Sequence, residues 1–537
     1  MTAAPSPIVL LAVAGLAAAL APAAHAGVTD NLVTSPTAMA MGNAVTADPP
    51  GIESIHFNPA GLARLEGTHH IDSVFVATIR NPNRFVSAPD MDIGGFKDDP
   101  INGKSSGPVR QALYIPFYGV PKARLPGVLV PSMGMAYNAP GSRWTFGTNV
   151  YLAAAMSIDR TKDPDDPARF DGRLVQLQRL VYLSPAAAYK VSDTLKIGIS
   201  VPIAYSAFAI NTDFRAPNKL LGTVGQLQKA VCPDGNGTVI DTLTFGLCGG
   251  GPEGMVNPFK RAANIDFDLR ASFDPTVNIG VLWEPKKWFA LGLVYQGGTR
   301  TTYTGSYTFH SDPMLRSFVR GLNSSLLGPI VGAVTGMPQD IPEYQHGNMT
   351  ARIPFPWRVQ AGMKLMLTDY VQLNADVSYA DWAQWNQLTF EFDESIKLLE
   401  MARLFGYANS RQATFNMGFR SVVNYSFGTQ FNITKKLALR FGYEPRKSSI
   451  PGNQMSLLAP LPDTKLKSVG VRYRFDDGGE VNLTGSYMKG SYNIPARSDC
   501  NLNCDNFFNL IYNPYAATTV SGSLIVKYAG ASYTRPF

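Results

Sequence analysis

The sequence predicts an all-β fold, a 14-stranded antiparallel transmembrane β-barrel with an N-terminal hatch inside the lumen and partly helical extracellular loops. Two patterns predict it. Apolar and polar residues alternate over segments of about ten residues, whereas an ordinary strand has about 5 or 6 residues. Short turns and long irregular loops also alternate along the chain. The composition agrees, because only 16% of the residues are charged, 11% are aromatic and 49 are glycine.

Residues 1–26 are expected to be a secretory signal peptide. The apolar run from Ile8 to Ala21 is too short to span a bilayer, and Ala24, His25 and Ala26 form a small-x-small cleavage pattern. Because no Lys or Arg precedes Ile8, a short membrane anchor is the alternative. We expect an exported chain in which residues 27–66 form the hatch and residues 67–537 form the barrel.

The hatch is predicted because about forty residues precede the first convincing strand at Gly67. We expect Asn58, Pro59, Ala60 and Gly61 to form a rigid turn inside the lumen. Proline fixes its own φ, and an asparagine side chain hydrogen-bonds local backbone. The alternatives are a turn that only leads into the first strand and a disordered tail.

Strand alternation is clearest from Ala413 to Ile433, where most odd positions are apolar or aromatic and most even positions are polar. In a membrane barrel the apolar face meets lipid and the polar face lines the lumen. Six short and seven long connections give fourteen strands with both termini on the periplasmic side. The short turns are near 139–143, 191–194, 285–287, 368–370, 434–436 and 476–479; the long loops are near 81–129, 159–173, 213–264, 310–349, 394–410, 446–464 and 493–516.

Four cysteines in an exported chain favour disulfides. Local pairing would join Cys232 to Cys248 and Cys500 to Cys504, which is one of three connectivities. A metal site is the alternative, but it needs more ligands than this part of the sequence provides. We therefore expect loop-stapling disulfides and neither a metal nor another cofactor.

Several motifs resemble the FadL-type outer-membrane transporters of long-chain fatty acids and hydrocarbons. Asn58, Pro59 and Ala60 match the Asn-Pro-Ala motif of that family's hatch. Further similar positions are Tyr379, Trp382 and Gln384 in a Tyr-x-x-Trp-x-Gln pattern, and Gly442, Ser449, Pro451, Pro462, Asp463, Gly470 and Tyr473 in a later hairpin. The resemblance implies a hatch that plugs a fourteen-stranded barrel, and passive uptake of hydrophobic molecules. The long loops, the cysteines and the tail after Lys527 depart from the family pattern.

Two long loops contain apolar residues at helical spacing and are predicted to form a capture groove over the barrel mouth. The residues expected to bind substrate there are Leu221, Val224, Leu227, Phe318, Leu322 and Leu326. The alternative is that the two helices bury their apolar faces on each other.

Alternation also predicts that Arg352, Arg358 and Arg420 point into the outer half of the lumen, where they would pair with a substrate carboxylate. Neutralisation of inward acids such as Glu284 and Asp376 is the alternative.

The predicted function is passive outer-membrane uptake of long-chain fatty acids or hydrocarbons, with a general-diffusion porin as the alternative. An enzyme is not expected, because the six histidines lie in the signal peptide, the hatch, the start of the first strand or the loops, and none stands in the sequence context of a catalytic nucleophile. The net charge of +7 is spread along the chain, so no nucleic-acid partner is predicted. The expected partners are a hydrophobic small molecule, outer-membrane lipids and, from the terminal Phe537, the barrel-assembly machinery. We expect a monomer.

Overall fold

The protein is described here by a computed structural model that covers residues 32–113, 123–125, 127–232, 239, 241, 246–401, 409–497 and 513–537. The predicted signal peptide, Cys500 and Cys504 lie outside the described residues.

Fourteen antiparallel strands close into a barrel, which confirms the predicted fold class and strand number. Each strand runs continuously or in two segments separated by a break. The strands are β1 (Gly67–Arg80 and Asn83–Ser87), β2 (Val128–Asn138), β3 (Trp144–Asp159), β4 (Leu174–Leu183 and Ala186–Lys190), β5 (Leu195–Ser200 and Ile203–Phe214), β6 (Ala263–Pro275 and Asn278–Lys286), β7 (Phe289–Gln296 and Thr302–Ser311), β8 (Tyr344–Arg352 and Arg358–Thr368), β9 (Val371–Ala380 and Leu388–Phe392), β10 (Gln412–Phe415 and Val422–Asn432), β11 (Leu437–Arg446), β12 (Thr464–Arg474), β13 (Glu480–Ile494) and β14 (Thr518–Pro536).

Closure joins β1 to β14, with His69 opposite Pro536, and β1 also pairs with β2. Six short turns connect strands at the end of the barrel where β1 begins and β14 ends, and all seven long loops are at the other end. Short turns face the periplasm in outer-membrane barrels, so the long loops are extracellular. No helix in the described ranges is long and apolar enough to cross a membrane.

The apolar face of the wall reverses at the strand breaks. On β10, Ala413 above the break and Met417 and Phe419 within it are buried inside the barrel, whereas Phe427 and Phe431 below the break are exposed on its outer face. The prediction of one continuous lipid-facing side from Ala413 to Ile433 is therefore wrong. The residues at the break lie outside the strand ladder and turn the chain over. Apolar side chains therefore face lipid on the lower wall and an apolar interior on the upper wall. Because apolar residues still occupy every second position on both sides of the break, the sequence pattern does not reveal that the chain has turned over.

The N-terminal segment from residue 32 to residue 66 lies in the lumen, and most of its residues are buried. It contains α1 (Pro36–Ala40), α2 (Ser54–Phe57) and a 3-10 helix (Pro59–Arg64). Inward-facing glycines let its backbone touch the wall, because a methyl group at these positions would overlap hatch atoms. This glycine belt comprises Gly134, Gly198, Gly280, Gly292, Gly428, Gly442 and Gly470, each on a different strand.

Within the described ranges, the extracellular loops carry four further α-helices, which are α3 (Lys219–Val231), α4 (Pro313–Ser324), α5 (Gly328–Thr335) and α6 (Lys397–Met401). Asn218 caps α3, since its side-chain oxygen accepts a hydrogen bond from Leu221 N at 2.9 Å. Pro313 begins α4, where its missing N–H leaves no intrahelical hydrogen bond unmade. Both predicted loop helices are thus present.

Candidate functional site

An apolar cavity of about 480 Å³ lies between the extracellular helices and the upper wall of the barrel. Its size is within the range of small-molecule sites. Apolar and aromatic side chains form almost all of its lining. Those from the wall and the other loops include Phe208, Ile210, Phe267, Phe309, Trp382, Trp385, Phe390, Phe392, Leu399, Phe415, Leu458 and Leu461.

Aromatic rings of the upper barrel wall line one side of this cavity. The ring centroid of Phe267 lies 5.5 Å from that of Phe390, 5.8 Å from that of Phe392 and 5.9 Å from that of Phe309. These separations are typical of favourable tilted and edge-to-face contacts. The rings come from β6, β7 and β9, whose upper segments have the reversed face, so the strand breaks place them inside.

The helices contribute some of the predicted capture residues and not others. Leu221 and Val224 on α3 line the cavity, as do Phe318 and Leu322 on α4. Leu227 and Leu326 do not line it, and their side chains are 46% and 69% exposed. Helical spacing identifies which residues lie on the apolar face of a helix, but it does not show which of them line the cavity.

A disulfide and one buried amide hold the loop after α3. Cys232 is bonded to Cys248. The Gln228 side chain donates to Leu247 O at 2.8 Å and to Gly254 O at 3.0 Å, and it accepts from Val256 N at 2.7 Å. Because Val256 lines the cavity, these hydrogen bonds hold part of the cavity lining in place.

A smaller polar chamber of about 70 Å³ lies next to the hatch, with His56, Arg179 and Arg358 among its lining residues. Burial, together with the positive charges of Arg358 and Arg179, lowers the pKa of His56 to about 3. The imidazole is therefore neutral at physiological pH, and its Nδ1 lies 3.2 Å from Tyr151 Oη. Arg179 is paired with Asp274, with Nε 3.1 Å from a carboxylate oxygen.

The structure corrects two of the three predicted inward arginines. Arg358 is buried and borders the polar chamber. Arg352 is exposed, and the adjacent Ile353 is buried, because the break in β8 reverses the upper face. Arg420 is also exposed, and neither residue lines the apolar cavity.

Lys260 is a cation at the apolar cavity that the sequence reasoning missed. It is exposed, and it is the only charged residue in the cavity lining that the structure describes. No ion pair to it is present within the described residues. It belongs to an irregular loop, where neither strand nor helix periodicity indicates the direction of a side chain.

The Asn-Pro-Ala-Gly stretch is buried in the hatch against β6. Asn58 donates to Thr46 O at 2.9 Å and to Val281 O at 3.1 Å, and it accepts from Ala60 N at 3.2 Å. One side chain thus caps the 3-10 helix, joins two parts of the hatch and attaches them to the wall. Pro59 follows at the first helical position.

Ion pairs attach the periplasmic side of the hatch to the wall. Arg64 contacts Asp48 at 2.9 Å and Glu284 at 2.7 Å, and Lys364 contacts Asp48 at 3.0 Å. Burial by itself raises the pKa of Asp48, but Lys364 and Arg64 hold it well below its usual range. Lys196 pairs with Glu284 at 2.6 Å. Neutralisation of inward acids, the alternative considered for the lumen cations, therefore describes this end of the barrel.

The wall is incompletely paired beside the polar chamber. The ladder between β2 and β3 runs from Asn138 and Thr145 to Met133 and Val150, although both strands continue. Beyond Val150, β3 pairs with β4 among the described residues. Tyr151, Ala153 and Ala154 on this stretch line the chamber.

Known proteins match this architecture over nearly the whole chain. A family model described as outer membrane protein transport protein (OMPP1/FadL/TodX) matches residues 14–533. A long-chain fatty acid transport protein of Escherichia coli O6:H1 is 24% identical over 213 residues, which span 40% of this chain and 42% of that relative.

Two solved structures share the fold. A Pseudomonas aeruginosa FadL homologue has a TM-score of 0.64 and 16% identity, with 95% of this chain and 100% of that chain covered. The Ralstonia pickettii toluene transporter TbuX has a TM-score of 0.55 and 15% identity, with coverage of 94% and 98%. The chain is an outer-membrane β-barrel and belongs to the outer membrane protein transport protein (OMPP1/FadL/TodX) family.

Proposed function

We propose that this protein takes up hydrophobic molecules passively across the outer membrane, and that it binds them first in the apolar cavity. The cavity is the observation that carries the proposal, because a greasy solute is drawn from water by apolar surface. A porin alternative requires a water-filled lumen, whereas here residues 32–66 fill it. The buried hatch favours transport by affinity over general diffusion.

The test uses the difference between lining and non-lining residues on the same helices. Replacing Leu221 and Phe318 with Asp should weaken saturable binding of a long-chain fatty acid by at least about tenfold, because buried carboxylates would enter an apolar site. The matched control replaces Leu227 and Leu326 with Asp on the exposed sides. Equal binding by both variants, each folded by heat-modifiable gel mobility, would reject the cavity as the binding site.

We propose a long-chain fatty acid as the substrate class, in preference to a neutral hydrocarbon. Lys260 supports this choice, since it places one positive charge at the rim of an otherwise apolar cavity. Lys260→Met should weaken palmitate binding roughly threefold to tenfold and leave 1-hexadecanol binding unchanged. Equal losses for the two ligands would show that Lys260 contributes packing, and equal affinities of the native protein for both would favour a neutral substrate.

We also propose that substrate leaves through the incompletely paired seam between β2 and β3. Ala154 is 3% exposed and lines the chamber beside that seam. Ala154→Leu should slow uptake and leave binding in the upper cavity intact, whereas Ala529→Leu on the outer face of β14 should change neither. Uptake at the native rate by a folded Ala154→Leu protein would exclude this exit.

The remaining aspects of the proposal concern assembly. The protein would act by transport and not by catalysis, as a monomer with a hatch of residues 27–66. The pairing of β1 with β14 closes the sheet, so neither the first nor the last strand offers an edge to another copy. Phe537 is 73% exposed at the end of β14, where the barrel-assembly machinery would recognise it. Mass measurement in detergent tests the monomer, since a stable dimer would contradict it.

A further inference from the structure

Five exposed cations form two adjacent rows on the outer face of β1, β12, β13 and β14. In the lower row, Tyr487 lies opposite both Lys467 and Lys527. In the upper row, Lys465 lies opposite Lys489, and Ile525 separates Lys489 from Arg80. We call Arg80, Lys465, Lys467, Lys489 and Lys527 the outer cationic rows.

Their height on the barrel is set by the neighbouring aromatic and apolar residues. Exposed Tyr443 and Tyr487 flank Lys467 in the lower row. Below it the outer face continues with exposed Val469 and Leu483. Aromatic girdles mark the edge of the hydrocarbon region in such barrels. The upper row is two residues, about 7 Å, further toward the long loops, so the cations lie at the headgroup level of the outer leaflet.

The five charges have no counter-ion among the residues that the structure describes. None of the five forms an ion pair with any described residue, and Asp463 is already paired with Lys447 at 2.6 Å. Directly opposed residues on neighbouring strands lie about 5 Å apart, and like charges in that arrangement destabilise a sheet. The opposition of Lys465 to Lys489 is therefore unfavourable unless an external anion lies between them.

We propose that the outer cationic rows bind the phosphate groups of a phosphorylated glycolipid in the outer leaflet. The exposed apolar strip below the rows would take the acyl chains, so the surface is continuous from chain to headgroup. Charge-assisted hydrogen bonds from lysine and arginine are the strong contacts to phosphate. This continuity favours a lipid over a soluble phosphate. The proposal is independent of what the apolar cavity transports.

The test measures lipid binding by the full chain in detergent with native mass spectrometry. Diphosphoryl lipid A is the probe, phosphatidylethanolamine is the zwitterionic comparison and inorganic pyrophosphate is the soluble competitor. We expect lipid A to bind at least about tenfold more tightly than phosphatidylethanolamine. The variant carrying Lys465→Gln, Lys467→Gln and Lys489→Gln should lose about tenfold in lipid A affinity, and the three Lys→Arg substitutions should retain it.

The matched control removes the same total charge elsewhere. Lys286 at the periplasmic end of β6 and Lys287 and Lys435 on periplasmic turns are exposed, and their replacement by Gln should leave lipid A binding unchanged. Equal losses in both Gln variants would show that only net charge matters and would overturn the site. Native affinity in the first variant would overturn it too. If pyrophosphate competes at the same concentration as lipid A, the site is for soluble phosphate and the lipid proposal is wrong.

Discussion

A single methyl group on the inner face of β6 should release the hatch. Gly280 faces the lumen, and a Cβ atom there would overlap the Asn58 side chain. Gly280→Ala therefore forces Asn58 to move. The substitution adds no charge, and the same change on an exposed strand would have little effect on stability. The neighbouring Gly198, which is paired with Gly280, faces the Pro59 backbone in the same way.

The cost follows from the contacts that Asn58 would lose. It makes two donor bonds and one acceptor bond while fully buried. Intramolecular hydrogen bonds contribute about 0.5–1.5 kcal/mol each, and overpacking costs about 1–3 kcal/mol. Because wall and hatch relax in part, we expect docking to weaken by about 2–4 kcal/mol. Each 1.4 kcal/mol is about tenfold, so the undocked population should rise roughly 30-fold to 700-fold.

Planar-bilayer conductance measures this release directly. Native protein should be nearly silent, and Gly280→Ala should show frequent openings. The control is Gly485→Ala on β13, where an added methyl group meets no atom within 4 Å. If Gly280→Ala is as silent as Gly485→Ala, and its thermal unfolding is also unchanged, the close contact does not hold the hatch.

Three further predictions concern the hatch and the loops. Burial raises the pKa of Glu53 to about 8 against the opposing effects of Ser35 and Arg440. Between pH 4.5 and 8 the Glu53 carboxyl is therefore protonated when the hatch is docked and ionised when it is undocked. Docking should weaken as pH rises through that window, seen as increasing conductance, and Glu53→Gln should remove the dependence; a native protein with flat conductance would contradict this. Deleting residues 30–62 should open a conducting pore, and an unchanged conductance would support the porin alternative. Peptide mapping without reduction should show Cys232 linked to Cys248 and Cys500 linked to Cys504, whereas free thiols would refute both pairs.

The strand number and the positions of the turns could be predicted from the sequence because they depend on local alternation and turn residues. The orientation of the upper wall could not. On β8, apolar residues continue at odd positions from Ile353 to Val359, while the chain between them turns over. Alternation records which positions are apolar, but the direction of the apolar side depends on whether lipid or the cavity is next to it. For this reason the prediction that Arg352 and Arg420 point into the lumen is wrong.

The outer cationic rows were hidden for a different reason. Lys489 and Lys527 are each isolated in sequence, Lys465 is close only to Lys467, and only the register of β12, β13 and β14 brings these residues together. A scan for charge runs finds nothing there, although the folded wall concentrates the charge. The same applies to the glycine belt, whose members are separated along the chain and meet around one hatch.

The glycine belt also has a consequence for how the barrel assembles. The hatch is synthesised before any strand, and the belt gives it contacts on seven strands, from β2 to β12. Closing β1 against β14 joins the two ends of the chain, which is a slow step for an empty ring because of the long loop that must be ordered. A hatch that is already in contact with the glycine belt would hold these strands around it. The last pair, β1 and β14, would then close around a lumen that the hatch already occupies.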